Sequence, residues 1–256
     1  MTPSLAQNKD NSLDVAEDFA GDAQSIGALH GSARGNRNVS QRLAAMERLV
    51  PLRGQHLLDV GCGTGEYTTA LAENFETVDG IEIERNRLEV FKENAPEHVN
   101  LHMMSANKLD FEDDTFDTIV MIEVLEHLTD IEGALSELSR VLTPRGRIVL
   151  TTPSRRWPLE QHGVLYNDKR YPSYYAPGLV WIKSLHEKFS DAAAFEPKDI
   201  ENLAASAGLE LENHTFMMPP LDSFDEGHVV HKATEAIEGV AQHFFGQTIV
   251  ASLRHT

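Results

Sequence analysis

The sequence is poor in cysteine and has no long apolar run. Cys62 is the single cysteine among 256 residues, which excludes an internal disulfide framework and a zinc site made of several cysteines. No run of about 18 apolar residues occurs, so no transmembrane helix is expected. The first residues also lack the basic start and apolar stretch of a secretory signal peptide. These absences favour a soluble protein of the reducing cytoplasm.

Basic residues are also scarce. The chain has 22 Lys and Arg against 40 Asp and Glu, a formal net charge of −18. It is therefore a poor candidate for sequence-independent binding of duplex nucleic acid or an anionic membrane surface, because both are densely negative. Hydrophobic residues make up 41%, enough for a sizeable core, which excludes a wholly disordered chain. No feature of the sequence specifies an oligomeric state.

Short apolar runs alternate with amphipathic segments up to residue 151. The apolar runs predict buried strands at residues 56–60, 77–83, 100–104, 116–122 and 147–151. Helical periodicity marks residues 38–50, 66–74, 85–94 and 131–142. This alternation predicts a parallel sheet with helices on both faces. Further on, the pattern predicts helices at 197–207 and near 231–245, and strands at 209–216 and 248–253.

Two segments interrupt this pattern. Residues 1–36 are polar and weakly periodic, which predicts a flexible N-terminal arm or flap. Residues 153–196 follow the fifth strand and are rich in proline and aromatic residues. We expect this second segment to be an insertion on the substrate side of a single domain that spans residues 37–256.

A glycine-rich loop joins the first strand to the following helix. Asp59 precedes Gly61, Gly63 and Gly65, and glycine allows a tight turn and close approach of the backbone to a ligand. Free amides at the next helix start favour a negative group. Glu82 lies 21 residues after Gly61, at the end of the second strand. An acid at that place can accept both ribose hydroxyls of a nucleoside.

The Asp-x-Gly-x-Gly-x-Gly loop resembles motif I of class I S-adenosylmethionine-dependent methyltransferases. The resemblance covers residues 37–151 and, more weakly, 197–216. It implies a doubly wound, Rossmann-like α/β fold with a seven-stranded sheet of order 3-2-1-4-5-7-6, strand 7 being antiparallel. It also implies S-adenosylmethionine as cofactor. The residues that it assigns to cofactor binding are Asp59, Gly61, Cys62, Gly63, Gly65, Glu82, Ile83, Ser105, Ala106 and Glu123.

In that family the loop holds the methionine part of the cofactor. By the same resemblance Glu82 holds the ribose, and Ser105 with Ala106 meets the adenine edge; Ser105 stands where the family usually has Asp. Cys62 is interpreted as a packing residue and not as a nucleophile, because no histidine that could activate it is near in sequence.

An acid–histidine cluster follows the strand at 116–122. The i, i+3, i+4 spacing puts Glu123, Glu126 and His127 on one face of a helical turn, and these residue types together can form part of a metal site. The E-x-x-E-H string resembles that of magnesium-assisted O-methyltransferases, namely small-RNA terminal 2′-O-methyltransferases and ubiquinone-pathway O-methyltransferases. That resemblance implies Mg²⁺ or Mn²⁺ and a later histidine as fourth ligand. His186, 59 residues after His127, is the first candidate and His162 is the rival.

Glu126 and His127 are also the candidate catalytic residues. A metal can lower the pKa of an acceptor hydroxyl, and His127 can take the proton that it releases. Two alternatives stay open: His127 contacts the substrate without a metal, or the cluster is purely structural.

The insertion has an unusual composition. Residues 153–186 contain both tryptophans and four of the five tyrosines, with five basic and only two acidic residues. Aromatic faces and positive charge suit a ring-bearing, anionic acceptor, although a lid packed on the sheet explains the aromatics equally well. The string TTPSRRWPLEQHGV resembles a stretch of sugar and glycolipid O-methyltransferases. The candidate substrate-binding residues are Arg155, Arg156, Trp157, His162 and Tyr166.

These observations predict a metal-assisted O-methyltransferase that acts on a hydroxyl or carboxylate of a saccharide or glycolipid precursor. A phenolic or quinone-type small molecule and an RNA 3′ end are the alternative acceptors. A nicotinamide oxidoreductase is disfavoured because Glu66 stands where the dinucleotide fingerprint needs glycine. A cofactor-binding module without catalytic activity is the remaining alternative.

Overall fold

A computed structural model describes residues 32–218 and 244–256. The first helix, α1, spans Ser32–Glu47, so it begins inside the segment predicted as a flexible arm. The remainder of that predicted arm, and most of the helix predicted near 231–245, lie outside the described residues. Among the described helices, none combines the length and apolar character needed to cross a membrane.

Up to residue 153 strands and helices largely alternate, as the sequence predicts. The strands are β1 Gly54–Val60, β2 Phe75–Glu82, β3 Val99–Met103, β4 Phe116–Ile122, β5 Leu142–Pro153, β6 Val164–Tyr166, β7 Lys169–Tyr171, β8 Leu209–Met217 and β9 Thr248–His255. The later helices are α2 Glu66–Ala72, α3 Arg85–Lys92, α4 Ile131–Val141, α5 Lys183–Phe189 and α6 Pro197–Ser206. Short 3-10 turns occupy Leu125–His127, Ser173–Tyr175 and Leu179–Trp181.

Seven of these strands form one mixed sheet in the order β3-β2-β1-β4-β5-β9-β8. The pairs from β3 to β5 are parallel, whereas β9 is antiparallel to both β5 and β8. With β8 and β9 counted as the sixth and seventh strands, this is the predicted order 3-2-1-4-5-7-6 with an antiparallel strand 7. The predicted fold class is confirmed.

Both faces of the sheet are covered by helices. On one face, Leu135 and Leu138 of α4 and Ile200 of α6 are buried. On the other face, Met46 of α1 and Leu71 of α2 are buried. A strand covered on both sides has no polar face, which explains why the central strands are continuous apolar runs in the sequence.

The strand order places the candidate site at one end of the sheet. The chain reverses direction across the sheet between β1 and β4, and open α/β sheets bind ligands at the carboxyl ends of the strands beside such a reversal. Beyond β5, residues 154–196 leave the sheet and contain the β6–β7 hairpin and α5. The insertion therefore begins at the same end of the sheet as the glycine loop.

Candidate functional site

The loop between β1 and α2 contains the three glycines of the predicted cofactor motif. Gly61, Gly63 and Gly65 have φ angles of 74°, 56° and 93°, in the region that favours glycine. A Cβ at Gly65 would lie 2.2 Å from the ring of Phe91, so this glycine lets the loop pack against α3. A Cβ at Gly63 would meet nothing within 4 Å. The loop is therefore open at Gly63, where a ligand can approach the backbone.

Glu82, the last residue of β2, is bonded to this loop. Its buried carboxylate accepts hydrogen bonds from three backbone N–H groups: Gly63 at 3.0 Å, Ile83 at 2.7 Å and Glu84 at 3.0 Å. The side chain of Ile83 is exposed next to it. The predicted ribose acid and the predicted glycine loop are thus in direct contact.

Asp59, in β1, is buried and accepts a 2.6 Å hydrogen bond from Oγ1 of Thr68. Burial raises the pKa of Asp59 to about 6; the Thr68 hydrogen bond opposes this shift and the charge of Glu82 adds to it. A positive ligand group beside Asp59 would favour its charged form. Burial also raises the pKa of the neighbouring Cys62 thiol. A thiol of that kind is a poor nucleophile at neutral pH, which supports the interpretation of Cys62 as a packing residue.

The two residues predicted to meet the adenine follow β3. Ala106 is buried and Ser105 is exposed, and Oγ of Ser105 accepts a 3.3 Å hydrogen bond from the N–H of Asn107. The N–H of Met104 donates to the carbonyl of Glu82 at 3.2 Å. This hydrogen bond joins the chain after β3 to the end of β2, where Glu82 lies. Binding of adenine by Ser105 and Ala106 stays a prediction.

Glu123 follows β4 and is held by an arginine of α1. Nη1 of Arg42 lies 2.6 Å from Oε1 of Glu123 and donates a 2.9 Å hydrogen bond to Oγ1 of Thr151. Thr151 donates in turn to Oε1 of Glu123 at 2.9 Å. Glu123 has a φ of 54°, which is uncommon for a residue with a side chain. These contacts hold it in that conformation.

Arg42 is a site residue that the sequence analysis missed. It is buried in α1, and Ala45 and Met46, three and four positions later, are buried with it. An arginine on the apolar face of a helix needs a charged partner, because an unpaired buried charge is costly. The position of Arg42 on the buried face of α1 was therefore the feature of the sequence that could have identified it as a site residue.

Glu126 lies in the short turn at Leu125–His127 and is almost completely buried. Its Oε2 accepts a 3.3 Å hydrogen bond from Thr152, whereas its Oε1 is buried without a hydrogen-bond partner. Burial and then the charge of Glu123 raise the pKa of Glu126 well above its ordinary value. A cation beside Oε1 would remove this penalty.

His162 of the insertion packs against His127 beside this carboxylate. The two ring centroids are 4.9 Å apart and the planes are nearly perpendicular. One ligand atom from each of Glu126, His127 and His162 lies within 4.8 Å of the others, and Nδ1 of His162 is buried without a hydrogen-bond partner. One carboxylate and two imidazoles are a donor set that suits divalent first-row metals. These residues therefore fit a metal ion.

His127 is an exposed residue, although part of its ring packs against the cluster. Burial of that part of the ring, and then the neighbouring His162, lower the pKa of His127 below its ordinary value, while Asp191 and Glu123 oppose this shift. His127 is therefore neutral at pH 7, the form that binds a metal or accepts a proton.

Two residues of the predicted metal set lie elsewhere. His186 is buried in α5 with its Nε2 on Oε2 of Glu160, so the first candidate for the fourth ligand does not reach the cluster, and the rival His162 does. Oε1 of Glu123 is bonded to Arg42 and Thr151, and Glu123 is absent from the group of converging ligand atoms among the described residues. Of the predicted ligands, Glu126 and His127 therefore converge with the rival His162 and not with Glu123 or His186, and a metal role for them stays a prediction.

The arginines that were predicted to bind an anionic acceptor bind groups of the protein itself. Nη2 of Arg155 donates to the carbonyl of Ala194 at 2.7 Å, and Nη1 lies 3.5 Å from Asp199. The guanidinium of Arg156 lies over the ring of Phe216, 4.4 Å from its centroid. Both side chains attach the insertion to the rest of the domain, so the expectation that they bind an acceptor anion is not supported by their geometry.

The aromatic residues of the insertion differ in exposure. Trp157 is half-buried, whereas Tyr166 of β6 is exposed with its ring 6.3 Å from that of Phe189. Tyr174 and Tyr175 stack with centroids 5.0 Å apart and are also exposed. The hairpin and the turn after it therefore present tyrosine rings on their outer surface.

The sequence matches the family described as Methyltransferase domain over residues 58–150. It is 29% identical over 221 residues to the ubiquinone biosynthesis O-methyltransferase of Coxiella burnetii, covering 82% of this chain and 86% of that protein. It is 32% identical over 170 residues to O-methyltransferase cnsE of Penicillium expansum, covering 64% of this chain. This chain spans only 55% of the length of the fungal protein.

The fold is similar to that of solved methyltransferase structures. An S-adenosylmethionine-dependent methyltransferase from Mesorhizobium loti superposes with a TM-score of 0.61 at 15% identity, over 83% of this chain and 96% of that one. At this identity the likeness concerns the fold alone. The matched residues run from β1 to β5 and include the glycine loop described above. The chain therefore contains a methyltransferase domain and has the fold of S-adenosylmethionine-dependent methyltransferases.

Proposed function

We propose that this methyltransferase transfers the methyl group to an oxygen of an acceptor with two neighbouring oxygens, with the help of a divalent metal. The observation that carries this proposal is the convergence of ligand atoms from Glu126, His127 and His162 within 4.8 Å. Oε1 of Glu126 is buried in that group without a hydrogen-bond partner, which supports a cation there. The group follows β4, next to the strand that carries the glycine loop.

The proposed cofactor-binding residues line the carboxyl ends of β1, β2, β3 and β4. We assign Glu82 to the ribose hydroxyls, because its carboxylate is fixed by three backbone N–H groups. Buried Asp59 suits the cationic methionine part. The full proposed set is Asp59, Gly61, Cys62, Gly63, Gly65, Glu82, Ile83, Ser105, Ala106 and Glu123.

The proposed metal ligands favour particular ions. Carboxylates suit Mg²⁺ and Mn²⁺, whereas a second imidazole shifts preference toward Co²⁺, Fe²⁺ or Zn²⁺. With Glu123 outside the set, one carboxylate and two imidazoles remain, so Mn²⁺ and Co²⁺ are better matched to the site than Mg²⁺. A bound metal would supply a Lewis acid that lowers the pKa of an acceptor hydroxyl.

The residues of the chain orient the acceptor and handle its proton. Neutral His127 has one free nitrogen lone pair, so it can either bind the metal or, without a metal, accept the proton of an acceptor hydroxyl that lies against it. Arg42 holds Glu123 beside the cofactor loop, and Thr152 holds one oxygen of Glu126. If chelation leaves turnover intact, His127 acts as base without a metal, which is the second mechanism compatible with the site.

Two acceptor classes fit a pair of neighbouring oxygens. A catechol-type quinone precursor is favoured by the Coxiella burnetii relative, which spans most of this chain and is named for ubiquinone biosynthesis. A saccharide or glycolipid is favoured by the exposed tyrosines of the insertion, because aromatic faces stack on sugar rings. We propose that residues 153–196 form the acceptor side of one catalytic domain that spans residues 37–256.

A methyl-transfer screen tests this proposal. Purified protein is incubated with methyl-labelled cofactor and a catechol, a monophenol, a sugar diol, a uronate or a short RNA with a free 3′ end. The catechol or the sugar diol should be labelled at oxygen, EDTA should abolish labelling, and Mn²⁺ or Co²⁺ should restore it.

His162→Gln should lose the metal-dependent turnover, while His98→Gln should keep it, since His98 bonds only a backbone carbonyl, that of Ala72, at 2.9 Å. Full turnover after dialysis against chelator would refute metal assistance. Binding of S-adenosylhomocysteine without turnover of any acceptor would instead support a module without catalytic activity.

A further inference from the structure

Glu160 is a buried carboxylate that connects two histidines of the insertion. Its Oε2 contacts Nε2 of His186, and its Oε1 accepts a 3.0 Å hydrogen bond from the N–H of His162. Both Glu160 and His186 are buried. A buried carboxylate in the middle of an irregular segment is costly unless it is fully bonded, so this arrangement needs a reason beyond packing.

The backbone of His162 is fixed on both sides. Glu160 binds its N–H group, and Nη1 of Arg170 in β7 donates to its carbonyl oxygen. Arg170 is itself held by Asp191, with Nη2 2.6 Å from Oδ2. The peptide groups around His162 therefore cannot rotate without breaking these hydrogen bonds. The segment is fixed in this way although His162 lies outside any helix or strand.

The imidazole of His162 also faces Glu160. Its Nδ1 lies 3.5 Å from Oε1 of Glu160 and has no hydrogen-bond partner within proper geometry. A carboxylate next to one ring nitrogen favours a proton on that nitrogen. The other nitrogen, Nε2, then keeps its lone pair for a ligand, which is the usual arrangement of histidines that bind metals.

We propose that Glu160, anchored by His186, is the positioning residue that directs His162 toward Glu126 and His127. This inference rests on the proposed function, because it takes the cluster of these three residues as a metal site. The inference also gives His186 a role that its sequence position does not reveal, because His186 acts on the proposed metal site through Glu160. Glu160 and His186 touch neither cofactor nor acceptor in this arrangement; their effect passes through the ring of His162.

Metal titration of matched variants tests the positioning role. Wild type, Glu160→Gln and Glu187→Gln are stripped with chelator and titrated with Mn²⁺ and Co²⁺ by calorimetry. Glu187 belongs to the same helix as His186 but is exposed and pairs only with Lys183 at 3.9 Å. Glu160→Gln should bind both metals about 10–100-fold more weakly, the usual effect of losing a carboxylate that orients a ligand histidine. Glu187→Gln should bind them as wild type does.

A second measurement determines the tautomer of His162 directly, in the absence of metal. Nitrogen-15 spectra of the imidazole groups, with the His162 signals identified by their loss in His162→Gln, report which ring nitrogen carries the proton. Wild type should show the proton on Nδ1, and Glu160→Gln should shift the signals toward a tautomer mixture. Affinity for S-adenosylhomocysteine should stay unchanged in Glu160→Gln, which shows that the fold is retained.

His186 provides the conservative comparison if Glu160→Gln does not fold. Gln at position 186 keeps an N–H donor for Glu160, whereas Phe removes it. His186→Gln should retain metal affinity within about threefold, and His186→Phe should lose about tenfold or more. Equal metal affinity in these two variants would overturn the positioning role.

The outcomes separate the two proposals. If wild type binds neither Mn²⁺ nor Co²⁺, the proposed metal assistance fails and the positioning role fails with it. If wild type binds metal and Glu160→Gln binds it equally well with unchanged His162 spectra, only the positioning role fails. Weaker metal binding with shifted His162 signals supports both.

Discussion

Nη1 of Arg42 lies 2.6 Å from Oε1 of Glu123, and this ion pair joins the first described helix to the turn that follows β4. Arg42 is buried and the side chain of Glu123 is about a quarter exposed, at 26%. The pair holds Glu123 at a positive φ beside the cofactor loop. It also occupies the carboxylate oxygen that the E-x-x-E-H pattern assigned to a metal.

Replacing Arg42 by Met should lower the free energy of unfolding by about 3 kcal/mol, because it leaves Glu123 charged and without its partner. Urea denaturation at pH 7 measures this loss. The double variant Arg42→Met with Glu123→Gln should recover part of it, since the unpaired charge is gone. Arg48→Met is the control, because Arg48 is exposed and its replacement should change stability by less than about 0.5 kcal/mol. A loss no larger than in this control would contradict the structural role of the pair.

Replacing Glu82 by Ala should weaken binding of S-adenosylhomocysteine by about 1–3 kcal/mol, the usual cost of losing hydrogen bonds to a charged group. Calorimetry measures the affinity, and NADH should show no binding. Glu84→Ala is the matched control, since Glu84 is exposed and pairs with Arg87 at 3.2 Å. Equal affinities in the two variants would remove Glu82 from the proposed ribose site.

Asp59 should make the stability of the ligand-free protein depend on pH. Its pKa is raised from 3.8 to about 6 by burial, so the folded state holds the proton more tightly than the unfolded state. The resulting stabilisation is complete below pH 3.8 and is lost as the pH rises to about 6, a total of about 3 kcal/mol relative to Asp59→Asn.

Urea unfolding of both proteins at several pH values tests this expectation. Asp59→Asn should be the more stable protein above pH 6. The difference in the free energy of unfolding between the two proteins should not change with pH in that range. The control is Asp110→Asn, because Asp110 is exposed. If the difference in the free energy of unfolding between wild type and Asp59→Asn does not change between pH 4 and 6, the carboxyl of Asp59 does not cause the pH dependence of stability.

Replacing Glu126 by Gln should separate stability from metal binding. The buried carboxylate has one oxygen without a hydrogen-bond partner and lies near the charge of Glu123. Removing this acid, whose charged form burial and Glu123 disfavour, should raise the free energy of unfolding by about 1 kcal/mol at pH 7 in chelator. The same change should weaken Mn²⁺ binding by about 100-fold or more, because a charged ligand is lost. If Glu126→Gln lowers both the free energy of unfolding and the affinity for Mn²⁺, the carboxylate of Glu126 stabilises the fold and is not primarily a metal ligand.

Local features of the sequence predicted the fold and the cofactor loop. Glycines at alternate positions after Asp59 predicted a tight turn, and the structure has positive φ angles at all three glycines. Glu82 was placed correctly at the end of the second strand, because residues 77–83 were predicted to form a strand. The strand order followed from the family resemblance that these local features carry.

The choice between His162 and His186 could not be predicted in this way. The two residues lie 24 positions apart in a segment without regular periodicity, so spacing alone says nothing about which of them reaches the turn after β4. The path of the chain through the β6–β7 hairpin and α5 decides it, by placing His186 on Glu160 and His162 beside His127.

By itself, the sequence determined the strands of the main sheet and the residues at the ends of β1, β2 and β4, because these follow from periodicity and turn chemistry within a few neighbouring positions. It did not predict β6, β7 or α5, which lie in the segment without regular periodicity. Only the tertiary structure decided the partners of the charged groups: Arg42 for Glu123, and Glu160 for His186. The physical reason is that burial forces each charge to find a partner, and the partner is whichever group the packed chain brings within reach, 81 or 26 positions away in sequence.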